Sequence, residues 1–331
     1  MTPATSARFF GIYCPNIVPF AADGSINEEE LRRIVEWLIG KGIHGLYANG
    51  STGEFARLSL QERIRVVKIV SDQNKGRVPI LAGAAENSID LVIEAARAYA
   101  DAGVDAISVT GPYFYKVSPD GMEAYFREVA RRSPVDIVLY NIPQFANEIP
   151  VEIVRRLAID CPRIVGIKDS SRDMPRFLHT INRLRPARPD FSLLIGCEEI
   201  LYPVLMMGAD GGTIASAGVV PEPIVKIYND FLAGLHEECR RVQFKLLELI
   251  EVMLKAGNFP EGFRAGAALR GFQPGPSRQP ISEKEKEFLG EMQDRMACLL
   301  KECGFAEAAA QCSTPRAGVA QMLARINQRL P

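Results

Sequence analysis

A three-part pattern recurs along this chain and limits what it can fold into. A helix-like apolar segment stops at a glycine, a tight turn follows, and a short apolar run begins. The pattern occurs at Gly42-Ile43-His44-Gly45, at Gly103-Val104-Asp105-Ala106 and at Gly208-Ala209-Asp210-Gly211. A glycine at this point can adopt the left-handed conformation that ends a helix. Each occurrence therefore predicts a joint from a helix to a strand, and repeated joints of this kind indicate an α/β protein.

Between these joints, strand-like and helix-like segments alternate. Continuous apolar runs are typical of parallel strands that are covered on both faces. From residue 11 onward we count about eight such runs, each followed by a helix-like segment. The first is a short strand that ends in a rigid turn within 11–20, where Pro15 and Pro19 lie; the others lie at 46–49, 79–82, 106–110, 135–140, 164–168, 191–195 and 211–215. Because eight βα units close a (β/α)8 TIM barrel, we predict that fold. The alternative is an open, doubly wound sheet.

The chain after residue 235 contains no comparable strand. We predict a barrel domain at 9–235, a helical C-terminal extension at 236–303, and an extra C-terminal tail at 304–331 that is partly helical, with a short helix at 318–330. Ser282 and Glu285 form a capping-box pattern that begins one helix of the extension. The segment 259–280 is rich in Pro, Gly and Arg and carries no helix prediction. Residues 198–207 are predicted as one helix of the barrel.

Composition excludes several classes of partner. The 39 basic and 40 acidic residues nearly cancel, so no broad basic face is available for nucleic acid. The seven cysteines are scattered and form no CxxC pair, and with only three histidines this argues against a disulfide framework and against a zinc site. The N-terminus has no signal-like apolar region, and no apolar run is long enough to cross a membrane. We therefore expect a reducing, cytoplasmic setting and no membrane partner.

A lysine ends one of the buried runs, in the stretch Ile164-Val165-Gly166-Ile167-Lys168-Asp169-Ser170-Ser171. In a TIM barrel, reactive groups lie at the carboxyl ends of the strands. Burial disfavours the ammonium form of a lysine, and a neutral amine can attack a carbonyl to form a Schiff base. The alternative is a structural lysine whose head group extends past the edge of the sheet. Asp169 is expected to cap the turn that follows.

Two other strand ends also carry polar groups. The sequence Gly50-Ser51-Thr52-Gly53-Glu54 follows the second strand, and its backbone amides and hydroxyls could bind a carboxylate; the alternative is an ordinary turn. Tyr140 ends the fifth strand, one strand before Lys168. Neighbouring strands lie about 5 Å apart, so a phenol there could exchange protons with a molecule bound to the lysine. The alternative is an amphipathic residue at the barrel rim.

These three motifs together, GSTGE at 50–54, YNIP at 140–143 and GIKDSS at 166–171, resemble the N-acetylneuraminate lyase and dihydrodipicolinate synthase family of class I, pyruvate-dependent aldolases. The resemblance extends from about Val18 to about residue 302. It implies that Lys168 forms a Schiff base with pyruvate or another 2-keto acid, that Ser51 and Thr52 bind the carboxylate, and that Tyr140 is the acid and base. It also implies a homotetramer built as a dimer of dimers, without a metal or a dissociable cofactor.

The sequence departs from the family pattern at two aromatic positions. In the synthase branch an arginine that binds the aldehyde's carboxylate follows the motif tyrosine by five residues, whereas this chain has Phe145. An aromatic ring cannot supply that clamp, so the lysine-biosynthetic reaction is disfavoured. Many relatives have Pro-Tyr-Tyr where this chain has Pro112-Tyr113-Phe114-Tyr115, and their second tyrosine enters a neighbouring subunit's proton relay. Tyr113 and Tyr115 are the remaining candidates for that relay.

Further binding residues follow from the same resemblance. Gly196-Cys197-Glu198-Glu199 resembles the stretch of the sialic acid lyase branch in which acidic residues bind sugar hydroxyls; the alternative is that the helix dipole favours both acids in a first turn. Thr213 lies where relatives have an apolar residue against the methyl group of pyruvate. The predicted substrate-binding residues are Gly50, Ser51, Thr52, Phe145, Ser170, Gly196, Glu198, Glu199 and Thr213.

We therefore predict a lyase that cleaves or forms a 2-keto-3-deoxy (sugar) acid, with pyruvate and an aldehyde as its small-molecule partners. One alternative keeps the Schiff base but performs a synthase-type condensation, a dehydration or a deamination. Another is a keto-acid-binding protein that has lost turnover, which the hydroxyl missing from Phe114 suggests.

Overall fold

The computed structural model describes residues 7–305 and Cys312, and its centre is a closed barrel of eight parallel strands. The strands follow one another around the barrel in chain order, and the last pairs with the first. They are β1 Gly11–Cys14, β2 Gly45–Ala48, β3 Ile80–Gly83, β4 Ala106–Thr110, β5 Asp136–Asn141, β6 Ile164–Asp169, β7 Ser192–Ile195 and β8 Gly211–Thr213. The predicted (β/α)8 barrel is confirmed, and the open sheet is excluded.

Each strand is followed by a helix on the outside of the barrel. These helices are α1 Glu28–Gly40, α2 Leu60–Asn74, α3 Ile89–Asp101, α4 Pro119–Arg132, α5 Val151–Asp160, α6 Met174–Leu184, α7 Leu201–Met206 and α8 Pro221–Leu232. Three more, α9 His236–Lys255, α10 Glu261–Leu269 and α11 Glu283–Glu302, follow the barrel and confirm the helical C-terminal extension. The proposed boundary at 235/236 falls between α8 and α9. In the described part of the chain, none of the helices has the length and apolarity that a membrane span requires.

The recurring glycine joints have the backbone conformation that the sequence predicts. Gly42, Gly103 and Gly208 have φ angles of 79°, 80° and 101°, which lie in or near the left-handed region that side chains rarely adopt. The capping box of Ser282 and Glu285 is also present at the start of α11. Local rules therefore fix these helix ends correctly.

The predicted lengths of two elements are wrong, and proline explains one of them. The first strand, by contrast, is the short strand predicted within 11–20, and it stops at Cys14 because Pro15 has no N–H for the ladder. The single helix predicted over 198–207 is a 3-10 turn, Glu198–Ile200, followed by α7. Pro203 is tolerated in the first turn of a helix but would clash in the middle of a longer one. The last strand ends at Thr213 rather than at residue 215.

Helix α10 lies in the Pro-, Gly- and Arg-rich segment where no helix was predicted. Gly262 and Gly266 weaken its intrinsic helix propensity. Packing requires both glycines: a Cβ atom on Gly262 would lie 2.0 Å from the carbonyl oxygen of Met253, and one on Gly266 would lie 2.9 Å from the side chain of Val219. Contacts with α9 and the barrel therefore form this helix, and the sequence pattern does not reveal it.

The prediction about the cysteines is also corrected. Cys298 at the end of α11 is joined to Cys312 by a disulfide bond, whereas the spacing gave no sign of a pair. The other five cysteines are free. The short helix predicted at 318–330 lies outside the described residues.

The side chains of the barrel strands alternate between two cores. Those that point outward pack against the helices in one large apolar layer. Those that point inward form a separate cluster along the barrel axis, to which Phe9 from the segment before β1 is added. The cluster consists of Phe9, Tyr13, Tyr47, Leu81, Ala106, Val138, Val165 and Leu194. This inner cluster fills the barrel below the carboxyl ends of the strands, so the barrel has a solid floor and a cavity above it.

Candidate active site

Lys168 and Tyr140 are neighbours in the barrel. They occupy paired positions on β6 and β5, and they are 5% and 4% exposed. The Nζ atom of Lys168 lies 4.1 Å from the centre of the Tyr140 ring. The predicted placement of the tyrosine on the strand next to the lysine is therefore correct. Within the described part of the chain, Nζ makes no salt bridge.

The loop after β2 brings a hydroxyl to this pair. The Ser51 Oγ atom lies 3.4 Å from the Tyr140 hydroxyl oxygen, within hydrogen-bond distance. Backbone N–H groups of Gly53 and Glu54 donate to the carbonyls of Gly50 and Ser51, which makes the loop a tight turn. Glu54 is buried and pairs with Arg57 and Arg264, so its carboxylate fixes the loop from outside the cavity.

A glycine at the end of β7 leaves room for the lysine. A Cβ atom on Gly196 would lie 2.0 Å from Ser170 Oγ and 2.9 Å from Lys168 Cε. Both distances are shorter than contacts that real side chains make, so only a glycine fits without displacing one of the two residues. Gly196 and Ser170 therefore define the wall beside the lysine stem.

A cavity of about 690 Å³ opens above Lys168 at the carboxyl ends of the strands. Of the predicted site residues, it brings together Ser51, Thr52, Tyr140, Phe145, Lys168, Ser170, Gly196, Glu198, Glu199 and Thr213. Nearly all of the predicted catalytic and substrate-binding set thus lies around one space. The placement is compatible with the roles predicted for these residues, which remain predictions.

Glu198 is a buried carboxyl in the wall of this cavity. It is 3% exposed, and its Oε1 accepts a hydrogen bond of 2.8 Å from the backbone N–H of Ser216. Burial raises the pKa of Glu198, and the neighbouring carboxylate of Glu199 raises it further, whereas the Ser216 N–H and Lys168 act in the opposite direction. The carboxyl is therefore held towards its neutral form, in which it can donate a hydrogen bond as well as accept one.

Two polar atoms of the cavity lining have no partner within the described chain. Oε2 of Glu199 and Oγ1 of Thr213 are both enclosed and make no hydrogen bond. Oε1 of Glu199 lies 3.4 Å from Nε of Arg172. Unpaired enclosed polar atoms are costly unless a ligand or water satisfies them, so both atoms are candidates for contacts with a polar substrate.

Asp169 supports the end of β6 from the side away from the cavity. Its Oδ1 accepts from the N–H and the hydroxyl of Ser171, at 2.9 and 2.6 Å, which confirms that it caps the turn. Its Oδ2 accepts from Asn141 and forms a buried ion pair with Arg176. These bonds tie β5, β6 and α6 together just behind Lys168 and Tyr140.

Three of the predicted residues lie elsewhere. Gly50 does not line the cavity; a Cβ atom there would lie 2.9 Å from the Tyr47 ring, so this glycine packs on that ring. Tyr113 lines a separate cavity of about 290 Å³ on the other side of Ser51, and burial raises its pKa. Tyr115 is 75% exposed. Within one chain, neither tyrosine therefore reaches Lys168.

Several lining residues were missed by the sequence analysis. Arg172 follows the lysine motif in a left-handed conformation, with a φ angle of 61°, which no local signal indicates. Helix α9 and the segment up to α10 supply the outer wall with Leu247, Glu251, Leu254, Lys255, Phe259 and Phe263. Tyr47, beneath the lysine, was detectable: strand alternation places it on the face opposite Leu46 and Ala48, which belong to the outer core.

No group of three or more His, Cys, Asp or Glu side chains suited to a metal ion occurs among the residues that the structure describes.

Comparisons with known proteins agree with this geometry. Residues 8–299 match the Dihydrodipicolinate synthetase family. An uncharacterized DapA-like lyase of Thermofilum pendens is 31% identical over 91% of this chain and 99% of its own length. A probable 2-dehydro-3-deoxy-D-pentonate aldolase of Escherichia coli, YjhH, is 32% identical over 73% of this chain and 81% of its own.

A solved structure is similar over nearly the same range. It is YagE, a prophage protein of the dihydrodipicolinic acid synthase family from Escherichia coli K12, determined in complex with pyruvate. The TM-score is 0.83 at 28% identity, and the match covers 88% of this chain and 99% of that one. Fold, cavity and relatives together define a TIM-barrel lyase. More particularly, the chain belongs to the Dihydrodipicolinate synthetase family.

Proposed function

We propose that this protein is a pyruvate-dependent class I aldolase that cleaves or forms a 2-keto-3-deoxy acid, such as a 2-keto-3-deoxy sugar acid. The observation that carries the proposal is the position of the Lys168 amine, which is buried at a strand end 4.1 Å from the Tyr140 ring. The Tyr140 hydroxyl in turn reaches Ser51. An enclosed amine beside an acid–base group and an anion-binding loop is suited to Schiff-base chemistry.

Each residue has a defined role in the cleavage direction. Lys168 Nζ adds to the ketone carbon, and the ketone oxygen leaves as water with one proton from the amine and one from an acid. The resulting iminium draws electrons from the C3–C4 bond while Tyr140 takes the proton of the C4 hydroxyl, so an aldehyde leaves and an enamine remains. Protonation at C3 and hydrolysis by water then release pyruvate. Because the iminium formed between Lys168 and the substrate acts as the electron sink, we propose that no other cofactor takes part.

The remaining lining residues position the substrate. Ser51 and Thr52 bind the carboxylate of the keto acid, and Gly196 and Ser170 limit where it lies. Glu198, Glu199 and Thr213 face the rest of the molecule, and the unpaired oxygens of the last two suit hydroxyl groups on a polar tail. Phe145 lies at the open end of the cavity.

A second candidate is a synthase-type condensation of pyruvate with an aldehyde that carries a carboxylate. Phe145 provides no cation for such a substrate, but Arg172 and Lys255 both line the outer cavity and favour this candidate. Each is next to an acid, since Arg172 lies 3.4 Å from Glu199 and Lys255 lies 2.6 Å from Glu251. These acids partly neutralise both cations, so the aldolase remains the better supported reaction.

Borohydride reduction in the presence of pyruvate tests the chemistry. We expect a reduced pyruvyl adduct on Lys168 of the wild-type protein and none on Lys168→Arg, because a guanidinium does not form a Schiff base. Tyr140→Phe should still form the adduct, but its turnover should fall by about 10²- to 10⁴-fold, the usual contribution of a general acid or base. An unchanged mass of the wild-type protein, or an adduct on another amine, would refute the proposal.

Product analysis separates the candidate reactions. Release of pyruvate from 2-keto-3-deoxy acids supports the aldolase, consumption without pyruvate supports a dehydratase or deaminase, and condensation with an acidic aldehyde supports a synthase. Trapping without turnover on a broad panel of aldehydes would instead support a keto-acid-binding protein.

We also propose a cytoplasmic homotetramer built as a dimer of dimers. In support, Phe114 and Tyr115 are 89% and 75% exposed on one chain, and large aromatic rings seldom remain so open on a complete protein surface. Tyr113 and Tyr115 stay candidates for a proton relay between subunits. Sedimentation analysis of the purified protein tests the assembly, and a monomer would refute it.

A further inference from the structure

Tyr47 lies directly beneath the reactive amine. It is 1% exposed and points into the barrel from β2. The centre of its ring is 4.7 Å from Nζ of Lys168, and the centre of the Tyr140 ring is 4.1 Å from the same atom. The two rings meet at an interplanar angle of 80°. Nζ therefore lies in a corner formed by two aromatic rings.

The faces of aromatic rings attract cations. Their quadrupole places negative charge above and below the ring plane, and the attraction is strongest where water is excluded. When a lysine amine condenses with a ketone, one proton stays on the nitrogen and the iminium carries a positive charge at the former Nζ position. In this protein that charge would appear over the ring of Tyr47. The iminium is the form that withdraws electrons from the substrate.

Carboxylates do not replace the rings at this position. Asp169, the residue next to Lys168, pairs with Arg176 on the other side of the strand. Glu198 is the acid in the cavity wall that interacts with Lys168, and its burial disfavours its charged form. In the part of the chain that the structure describes, aromatic faces thus supply the close electrostatic contacts of the amine.

Tyr47 also contacts the loop predicted to bind the carboxylate. The Cα atom of Gly50 packs so closely on the ring that a Cβ atom would lie 2.9 Å from Tyr47 Cε1. The same ring therefore contacts both the amine of Lys168 and Gly50, the first glycine of the loop, and limits how close each can come to the barrel axis. Moving this ring would disturb both ends of a bound keto acid.

We propose that Tyr47 is a positioning residue whose ring face, rather than its hydroxyl, holds the Lys168 amine and stabilises the protonated iminium. This inference rests on the Schiff-base chemistry proposed above. It assigns to β2 an electrostatic role in that reaction, beside the acid–base role proposed for Tyr140 on β5.

Two variants of Tyr47 and one matched control test the inference. Tyr47→Leu removes the ring, Tyr47→Phe keeps it, and Tyr13→Leu makes the same change in the same inner cluster, where Tyr13 packs against Phe9 instead of the lysine. The measurement is the fraction of protein trapped by borohydride as a function of pyruvate concentration. Tyr47→Leu should raise the concentration needed for half-maximal trapping by about 10-fold or more. Tyr47→Phe and Tyr13→Leu should stay within about 3-fold of the wild type.

The pH profile of trapping gives a second measurement. Without the ring the iminium loses its proton more easily, so trapping by Tyr47→Leu should decline at a lower pH than in the wild type. In Tyr47→Phe, trapping should decline at the same pH as in the wild type. The other titratable groups around the cavity are present in all variants and are Tyr140, Cys197, Glu198, Arg172, Glu199, Glu251 and Lys255.

Each outcome decides the question. If Tyr47→Leu traps as well as Tyr13→Leu, or if Tyr47→Phe fails as badly as Tyr47→Leu, the ring-face role is wrong. If Tyr47→Leu does not fold, phenylalanine and 3,4,5-trifluorophenylalanine are compared at position 47, since fluorine weakens the ring face and keeps the shape. Weaker trapping by the fluorinated protein supports the inference, and equal trapping refutes it. A wild-type protein without any adduct would refute the Schiff base itself.

Discussion

The inner and outer ends of the same cavity are built in different ways. The inner end, around Lys168, Tyr140 and Ser51, is made by strand ends and by one tight loop, and the side chains of Lys168 and Tyr140 are almost fully buried. The outer end is made by Phe145, Arg172 and the helices after the barrel. Phe145 is 57% exposed there. Lys168 and Tyr140 are therefore enclosed by neighbouring side chains, whereas Phe145 is largely open to solvent.

This difference separates reaction chemistry from substrate choice. Catalytic groups must be held within a fraction of an ångström, and packed strands with supporting bonds such as Asp169–Arg176 provide that. An outer wall from loops and appended helices can change without disturbing them. We therefore expect changes at the inner end to affect Schiff-base formation, and changes at the outer end to affect the aldehyde half.

Among substitutions that leave Lys168 and Tyr140 in place, the largest effect is expected from adding one methyl group at the inner end. In Gly196→Ala the new Cβ atom would meet Ser170 Oγ and Lys168 Cε, so the lysine stem must move. We expect kcat/KM to fall by about 10²-fold, because misplacing a reacting group by about 1 Å costs that much. The matched control is Gly290→Ala on α11, where a Cβ atom meets nothing within 4 Å. If kcat/KM and the rate of borohydride trapping with pyruvate are the same in the two variants, the inner end is less tightly packed than its geometry indicates.

A smaller effect is expected at the outer end. Phe145→Ala removes a ring that packs 6.2 Å, centre to centre, from Phe259 at the cavity mouth. The KM for the aldehyde or the sugar acid should change by about 10-fold, the lower end of what one methylene contributes in an enclosed pocket, because Phe145 is largely exposed. Pyruvate trapping should stay unchanged. Phe244→Ala, which removes another exposed ring outside the cavity lining, is the control. A loss of trapping in Phe145→Ala would contradict the division between the two ends.

The two ends also differ in how well the sequence predicts them. The barrel follows from local signals such as Gly42 and Gly103, and the rule that reactive groups lie at strand ends brings Tyr140 and Lys168 together. Strand alternation also puts Tyr47 on the face opposite Leu46 and Ala48, a signal that the sequence analysis did not use. Each of these inferences uses residues close in sequence or adjacent strands, for which spacing is informative.

The outer end depends on contacts between distant segments. Lys255 and Phe259 reach the cavity because α9 and α10 fold back over the barrel, and α10 itself contains glycines that its packing requires. The conformation of Arg172 and the disulfide of Cys298 with Cys312 likewise have no local signal. Tertiary packing decides all of these features, so a single sequence does not predict them.

The smallest effect is expected from Glu198, which lies between the two ends. Burial raises its pKa, so the folded protein holds this proton more tightly than the unfolded chain does. The neutral carboxyl therefore makes its full contribution to the free energy of unfolding below the ordinary pKa of 4.5. That contribution is lost as the pH rises through the pKa of Glu198 in the folded protein. Glu198→Gln does not titrate but can still accept the Ser216 N–H. The melting temperature of Glu198→Gln should consequently rise relative to the wild type as the pH increases from 4 towards 8 (roughly the interval in which a raised carboxyl pKa acts).

The control is Glu283→Gln, which replaces a side chain that is 84% exposed and should show no such trend. A difference between Glu198→Gln and the wild type that stays constant with pH would mean that Glu198 is charged in the folded protein, and would place it with the outer acids that accept hydrogen bonds from a polar tail.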